Sequence, residues 1–335
     1  MKEEDRMLNF GIIGTGSIAS DAHGPALSRI PGVQLWSVLS RDPARGDRFA
    51  QQFGAKSPRP SHTALESFLS DPELHAVIVA SPDRLHHSHI LACAEARKHV
   101  LVEKPMTTEV VDGEHAIRAC REAGVKLGVG FHLRWHVAHR RIRERIMEGV
   151  LGQLQHVRIH WTFKAPDDRN WRASEQFGRW WSLAAHGVHC LDLIRWFLQP
   201  SCGDIVHRRS ILTRNQWGGP HEESALLSLS FANGATAELL TSVLFDSPPR
   251  LEIYGLEGYA VLEGTLGRYG KGSAWMRGEA YPFVPRSPFD GEIADFAAAI
   301  LQDHEPEVTG EIGLQVIRDL ELAAIPSYDA VDREQ

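Results

Sequence analysis

Through the first third of the chain, short apolar and β-branched runs at residues 10–13, 34–39, 76–80, 100–102 and 125–129 alternate with amphipathic stretches at 43–52, 85–96 and 109–123. Runs of that length bounded by helical patterns predict βαβ units, and hence a parallel sheet with helices on both faces. Beyond about residue 132 the pattern changes. A helix is predicted over 137–148, followed by a period of two in which Val157, Ile159, Trp161 and Phe163 fall on one face and His156, Arg158 and His160 on the other. Strands predicted at 225–231 and 236–245 meet through Ala232-Asn233-Gly234-Ala235, where Asn-Gly favours a tight hairpin. Helical spacing returns at 291–301 and 313–324. The chain therefore reads as an α/β domain over 1–132 with a parallel sheet, then an α+β domain over 133–335 with a mostly antiparallel sheet. Such a sheet can leave one face uncovered by its own chain, and the apolar residues here imply that a second subunit covers it, so a homo-oligomer, dimer or tetramer, is expected.

The first strand turns directly into Gly14-Thr15-Gly16-Ser17-Ile18-Ala19. A turn of this kind, between a buried strand and a helix, presents backbone N–H groups to a phosphate. Gly14 permits the turn, Gly16 lets a diphosphate approach the backbone, and Ala19 lets the helix pack on the strand. The second strand ends at Leu39-Ser40-Arg41. A carboxylate there would bond the 2′-hydroxyl of an adenosine ribose and repel a 2′-phosphate, whereas Ser40 and Arg41 offer a hydroxyl and a cation; NADP is favoured over NAD. A solvated Arg41 beside Asp42 is the alternative.

Open α/β sheets bind ligands at their strand C-termini. The loop Ser81-Pro82-Asp83-Arg84-Leu85-His86 is therefore expected to line the cofactor groove, although His86 and His87 read equally as surface residues of a helix start. The next run delivers Glu103-Lys104-Pro105 to the same edge. Lys104, partly desolvated by a bound nicotinamide ring, is suited to share a proton with a substrate hydroxyl; a structural ion pair with Glu103 or with Asp residues explains the same residues, and the sequence leaves both open. A third motif, Ala185-His186-Gly187-Val188-His189-Cys190-Leu191-Asp192, heads a packed helix on which His189 and Asp192 share a face. His189 also reads as a satisfied core histidine. No second cluster has ligand spacing, so no metal is expected.

Composition narrows the partner. The 335 residues are 43% hydrophobic, enough for two cores, and 36 Lys and Arg stand against 43 Asp and Glu for a net charge of −7 with no long block of one sign. That balance leaves no electrostatic footprint for nucleic acid or an anionic membrane and favours a small-molecule partner. The N-terminal stretch has no apolar core of signal-peptide length, and no run approaches a membrane span. Cys93, Cys120, Cys190 and Cys202 lack CxxC spacing and read as buried free thiols, which fits a cytoplasmic location.

Taken in order, Gly14 to Ala19, Ala80 to His86, Glu103-Lys104-Pro105, Phe131-His132-Leu133-Arg134-Trp135-His136 and Gly187 to Asp192 resemble the glucose-fructose oxidoreductase and inositol dehydrogenase (Gfo/Idh/MocA) family over nearly the whole chain. The resemblance implies an N-terminal Rossmann fold, a C-terminal domain on a large open antiparallel sheet, and reversible hydride transfer between a nicotinamide and a sugar, polyol or related carbon. It implies that Lys104 and His189 face the substrate as the catalytic pair. Cofactor contacts are expected from Gly14, Thr15, Gly16, Ser17 and Ile18, from Ser40 and Arg41, from Ser81, Pro82 and His86, and from Glu103 and Lys104. Arg134, Trp135, His136, His186 and Asp192 are expected to border the substrate.

Two departures stand out. Members of the family often carry an aspartate four residues before the motif histidine, forming a relay with histidine and lysine; here that place holds Ala185. Either Lys104 and His189 suffice, or His186 or another residue replaces the acid. The usual glycine-rich approach is reduced to Gly178-Arg179-Trp180-Trp181, whose aromatics are expected to reshape the pocket and stack on a sugar face. Specificity is expected in the loops 163–181 and 217–223. Two rival functions remain, a hydrolase that oxidises its sugar transiently on a retained nicotinamide, and a catalytically silent dinucleotide-binding sensor; Lys104 and His189 favour the dehydrogenase.

Overall fold

The computed structural model describes residues 7–324. Strands β1 (Leu8–Ile13), β2 (Val33–Leu39), β3 (Ser61–His62), β4 (Ala76–Val79), β5 (His99–Val102) and β6 (Leu127–Val129) form a parallel sheet in the order β3-β2-β1-β4-β5-β6. Every residue of β1 and β4 is buried, which is why these strands read as unbroken apolar runs. The strand order reverses between β1 and β4, so a crevice opens above their C-terminal ends. Topology alone thus brings together the glycine turn after β1 and the loop after β4.

Helices α2 (Pro43–Gln52), α3 (Leu65–Leu69), α4 (His86–Glu95) and α5 (Val110–Ala123) connect the strands. Asp42 caps α2 by accepting from the Arg45 N–H at 3.1 Å, and Gly124 closes α5 in the left-handed conformation, φ +69°. The segment after the glycine turn departs from a plain helix. A π-turn, Ala19–His23, leads into the short α1 (Gly24–Leu27). The wider turn shifts the side chains that follow around the axis, and His23 ends up buried against Glu103.

The second sheet contains β7 (Leu154–Thr162), β8 (Ile205–Thr213), β9 (Ser224–Phe231), β10 (Thr236–Ser242), β11 (Arg250–Gly255), β12 (Gly258–Glu263), β13 (Ser273–Met276) and β14 (Glu279–Ala280). Its order is β14-β13-β12-β11-β7-β10-β9-β8, antiparallel except where β7 lies parallel to β10. The β9–β10 hairpin turns at Asn233-Gly234, with Gly234 at φ +91°. Along β7 the period of two holds: Val157 and Ile159 are buried on the inner face, where α7 (Val188–Cys202) packs. The alternation in the sequence does not separate β8 or β11 to β14. β8 is an edge strand carrying His207, Arg208 and Arg209, and such charges mask the alternation while discouraging further pairing.

The helix α6 (Val137–Met147) follows the first sheet, and two helices, α8 (Pro288–Leu301) and α9 (Gly310–Ala324), return to it from the second. Phe289, Ile293 and Phe296 of α8 join the core of β1, with Phe296 edge-on to Phe10 at 6.4 Å. The Val129 N–H donates to the Val308 carbonyl at 3.1 Å. Residues past 132 therefore serve both sheets. All four cysteines are buried and unpaired.

Candidate active site

The crevice above β1 and β4 continues under β7 as a cleft of about 820 Å³ lined by both sheets' loops. The two glycines of the first turn serve it differently. Gly14 sits at φ +96°, and a Cβ there would lie 2.6 Å from the Ala80 carbonyl oxygen, so the turn can pass close beneath β4's exit only without a side chain. At Gly16 no described atom stands within 4 Å of a Cβ position, so the backbone faces open cleft. A cradle of this shape, closed on one side and bare on the other, fits a dinucleotide diphosphate.

Beside the turn, Thr15 Oγ1 meets Ser40 Oγ at 3.0 Å, and Ser40 Oγ donates to the Asp42 carbonyl at 2.9 Å. Ser40 is buried and bonded to both, so it fastens the turn to the end of β2; the exposed cations lining the cleft here are Arg41 and Arg45. His86 is buried too, contrary to its surface reading: its ring bridges the carbonyls of Ser81 and Pro105, each at 2.8 Å, and so ties the β4 and β5 loops together. His87 is half-buried beside Asp112.

Glu103 and Lys104 point in different directions. One Glu103 oxygen meets His23 Nε2 at 2.8 Å and the other accepts the Lys104 backbone N–H at 3.2 Å. Burial works to raise its pKa, but the His23 hydrogen bond and the neighbouring positive charges win and hold it at about 2. The Lys104 side chain makes no ion pair among the described residues. Its Nζ donates to the carbonyls of Ala184 at 2.9 Å and Ala185 at 3.0 Å. Burial lowers the amine to about 7, Arg172 adds to that effect, and Glu103 and Asp83 oppose it.

Those carbonyls belong to a π-turn, Leu183–Gly187, that runs into α7. Buried Glu222 caps it: one oxygen accepts from the backbone N–H of Trp181 at 3.0 Å and of Leu183 at 2.8 Å. At the head of α7, His189 lies edge-on to His132 at 4.8 Å, and its Nδ1 has no partner among the described residues. Burial first, then the Lys104 charge, push its pKa well below the usual histidine range, so it is neutral at pH 7. His186 lies flat on Trp161, ring centres 3.9 Å apart, and burial takes it to about 3. Arg172, from the long loop after β7, forks onto buried Asp83 with two bonds of 3.0 Å.

A profile described as an oxidoreductase family with an NAD-binding Rossmann fold matches residues 8–131, and one described as the GFO/IDH/MocA C-terminal domain matches 139–261. A 1,5-anhydro-D-fructose reductase of Ensifer adhaerens is 29% identical over 92% of both chains. An uncharacterized oxidoreductase of Synechocystis is 31% identical over 76% of this chain and 71% of its own. The chain belongs to the Gfo/Idh/MocA oxidoreductase family. Among solved structures, an aldose-aldose oxidoreductase of Caulobacter crescentus complexed with glycerol superposes with a TM-score of 0.87 at 25% identity, covering 95% of this chain and 96% of that one.

As a Gfo/Idh/MocA member the protein is an NAD(P)-dependent oxidoreductase, and its cleft shows how it departs from the family pattern. At Ala185 the backbone carbonyl, not a side chain, meets Lys104. Four residues expected near the substrate do not line the cleft: Arg134, Trp135, His136 and Asp192. Arg134 and Asp192 form a buried pair, with Nε to Oδ2 at 2.9 Å and Nη2 to Oδ1 at 2.6 Å. Trp135 packs on Gly291 of α8, and His136 caps α6. Trp180 and Trp181 are likewise turned into the core, Trp181 against Trp217 at 5.1 Å, and the Trp181 backbone N–H is held by Glu222. Trp161, Phe163 and Trp171 supply the aromatic wall instead. The sequence does not single out His23, Arg45, Asp83, His132, Arg172 or Arg268 as site residues; only His132 and Asp83 carry a signal, as members of family-like motifs.

Proposed function

We propose that the protein interconverts a hydroxyl and a carbonyl carbon on a sugar or polyol, with NADP preferred. The reading rests chiefly on one observation: the Lys104 amine, buried and held by two backbone carbonyls, stands in the cleft between the glycine cradle and the Trp161–His186 stack. The nicotinamide, when bound, supplies or accepts hydride. With two of its N–H groups directed at carbonyls, Lys104 keeps one remaining position on nitrogen, an N–H when charged and a lone pair when neutral. That position can give a proton to an alkoxide or take one from a hydroxyl. Neutral His189 orients the same substrate oxygen, and the flat Trp161–His186 face suits the C–H face of a sugar ring. Residues 1–132 carry the dinucleotide and 133–335 the substrate wall. The names of the similar proteins, an anhydrofructose reductase and an aldose-aldose oxidoreductase, support the substrate class.

The test follows absorbance of the reduced nicotinamide with a panel of keto-sugars and polyols. Stoichiometric change with at least one substrate is expected. Substrate cleavage with no net absorbance change would favour the transient-oxidation hydrolase, and dinucleotide binding with no turnover on any substrate the sensor.

The NADP preference is supported by Arg41 and Arg45 at the adenosine end of the cleft. A single charge-assisted contact to a phosphate corresponds to roughly a 10-fold change in Kd. Arg45→Ala is expected to weaken NADP by about that factor and leave NAD unaltered in calorimetric titration; equal losses for both would remove Arg45 from 2′-phosphate recognition. The outer face of the second sheet, with Ile211 exposed and Leu226 and Leu240 half-buried, supports a homo-oligomer, against which a monomeric mass by sedimentation would count. No helix among the described residues is long and apolar enough to cross a membrane, and the four unpaired thiols support a cytoplasmic location.

A further inference from the structure

The loop from Gly264 to Gly272, between β12 and β13, crosses from the second sheet toward the glycine turn of the first. Both of its ends are anchored. Thr265 Oγ1 meets buried His139 at 3.0 Å, and the Lys271 carbonyl meets His136 Nε2 at 3.1 Å. Gly270 sits so tightly on the Arg286 backbone that a Cβ there would overlap its carbonyl oxygen. Between these anchors Gly267 and Arg268 project into the cleft lined by Gly14, Thr15, Gly16, Ser17 and Ile18. The Arg268 guanidinium reaches Asp21 Oδ2 at 3.0 Å, on the π-turn that begins at the last residue of the glycine motif. Its charge is also felt at Lys104, His132 and His186. Arg268 thus lines the same cleft as the cradle and the amine, and is bonded to the turn that follows the cradle.

We propose that Arg268 is a cofactor ligand contributed by the second sheet, which leaves Asp21 to bind the dinucleotide diphosphate. The inference rests on the dinucleotide reading of the cleft. Charge supports it. Arg172 is engaged by Asp83, the Lys104 amine by carbonyls, and Arg41 and Arg45 stand at the adenosine end. Among the described cations lining the cleft, Arg268 remains to meet the diphosphate. Its bond to Asp21 is between side chains 42% and 43% exposed, and such pairs are weak in water, whereas a guanidinium fork on phosphate is strong and directional. Asp21 keeps the arginine in place without cofactor and repels the diphosphate once it arrives. The anchored loop presents Arg268 with little ordering left to do, and His136 and His139 are its positioning residues.

Two roles predict different signs. As a diphosphate ligand, Arg268→Ala weakens NADP and NAD alike, by roughly 10-fold or more in calorimetric titration of nucleotide-free protein, because both share the diphosphate. Arg268→Lys recovers part of that loss, and Asp21→Asn binds at least as tightly as the wild type. As a mere latch between the two sheets, Arg268→Ala and Asp21→Asn weaken binding in parallel, since each removes the same bond. Wild-type affinity in Arg268→Ala, or parallel losses in both variants, overturns the proposal. Thermal unfolding of each variant checks that the fold is intact, as expected for an exposed pair. If the wild type itself binds neither dinucleotide, the reading of the cleft fails rather than this inference.

Discussion

Replacing Lys104 with methionine is expected to lower turnover by roughly 10²- to 10⁴-fold, the range for a positioned general acid–base, while dinucleotide affinity stays close to that of the wild type. Methionine keeps the apolar stem and loses the amine, and the π-turn that receives it remains capped by Glu222. Among the described residues, none of its neighbours replaces the acid. His189, His132 and His186 are all held neutral by burial, and Glu103 is ionised against His23. The amine is lowered to about 7, with burial the largest cause, which sets the sign of the pH dependence. Carbonyl reduction needs the charged amine as donor, so kcat/KM for reduction falls as pH rises through about 7. Alcohol oxidation needs the neutral amine, so its kcat/KM rises over the same interval. Both inflections vanish in Lys104→Met. An inflection that persists in the variant, or turnover equal to the wild type, would remove Lys104 from the proton transfer.

The legible parts of this site were those in which chemistry and placement lie next to each other in the chain. β1 with Gly14 and Gly16, the loop after β4 and the Glu103-Lys104 pair each combine a buried strand with the residues at its exit, and the switch in strand order assembles them. What the chain order conceals is the partner across the cleft. His23 reaches Glu103 over 80 positions and Arg172 reaches Asp83 over 89, with no periodicity to announce either. Both π-turns add to the difficulty, since a widened turn moves the next side chains off the helical face that spacing assigns. The vacant acid at Ala185 shows a different limit. Lys104 is held there by main-chain carbonyls, which every residue has and no letter of the sequence distinguishes. Arg134 and Asp192 failed for the opposite reason: they are charged and near motif residues in sequence, yet they satisfy each other away from the cleft.

That last assignment carries the largest expected effect on stability. Removing one member of a buried ion pair leaves an uncompensated charge and costs about 3–5 kcal/mol, a large part of the roughly 5–15 kcal/mol that holds a typical domain folded. Arg134 follows β6 in the turn into α6, and Asp192 lies on α7 one turn beyond His189, so the pair joins the first sheet's exit to the helix that carries His189. Burial works to raise the Asp192 carboxyl, and the Arg134 charge and hydrogen bonds oppose it. Without the carboxylate the buried guanidinium is left uncompensated. Asp192→Ala is expected to shift the urea midpoint by an amount corresponding to about 3–5 kcal/mol, with KM for the sugar unchanged at temperatures where the variant remains folded. The double substitution Arg134→Met with Asp192→Leu is expected to regain most of that loss, because apolar side chains of similar volume fill a buried pair's space without its desolvation penalty. A substrate-binding role predicts the reverse pattern: a stable Asp192→Ala with a raised KM, and a double variant no better than either single one.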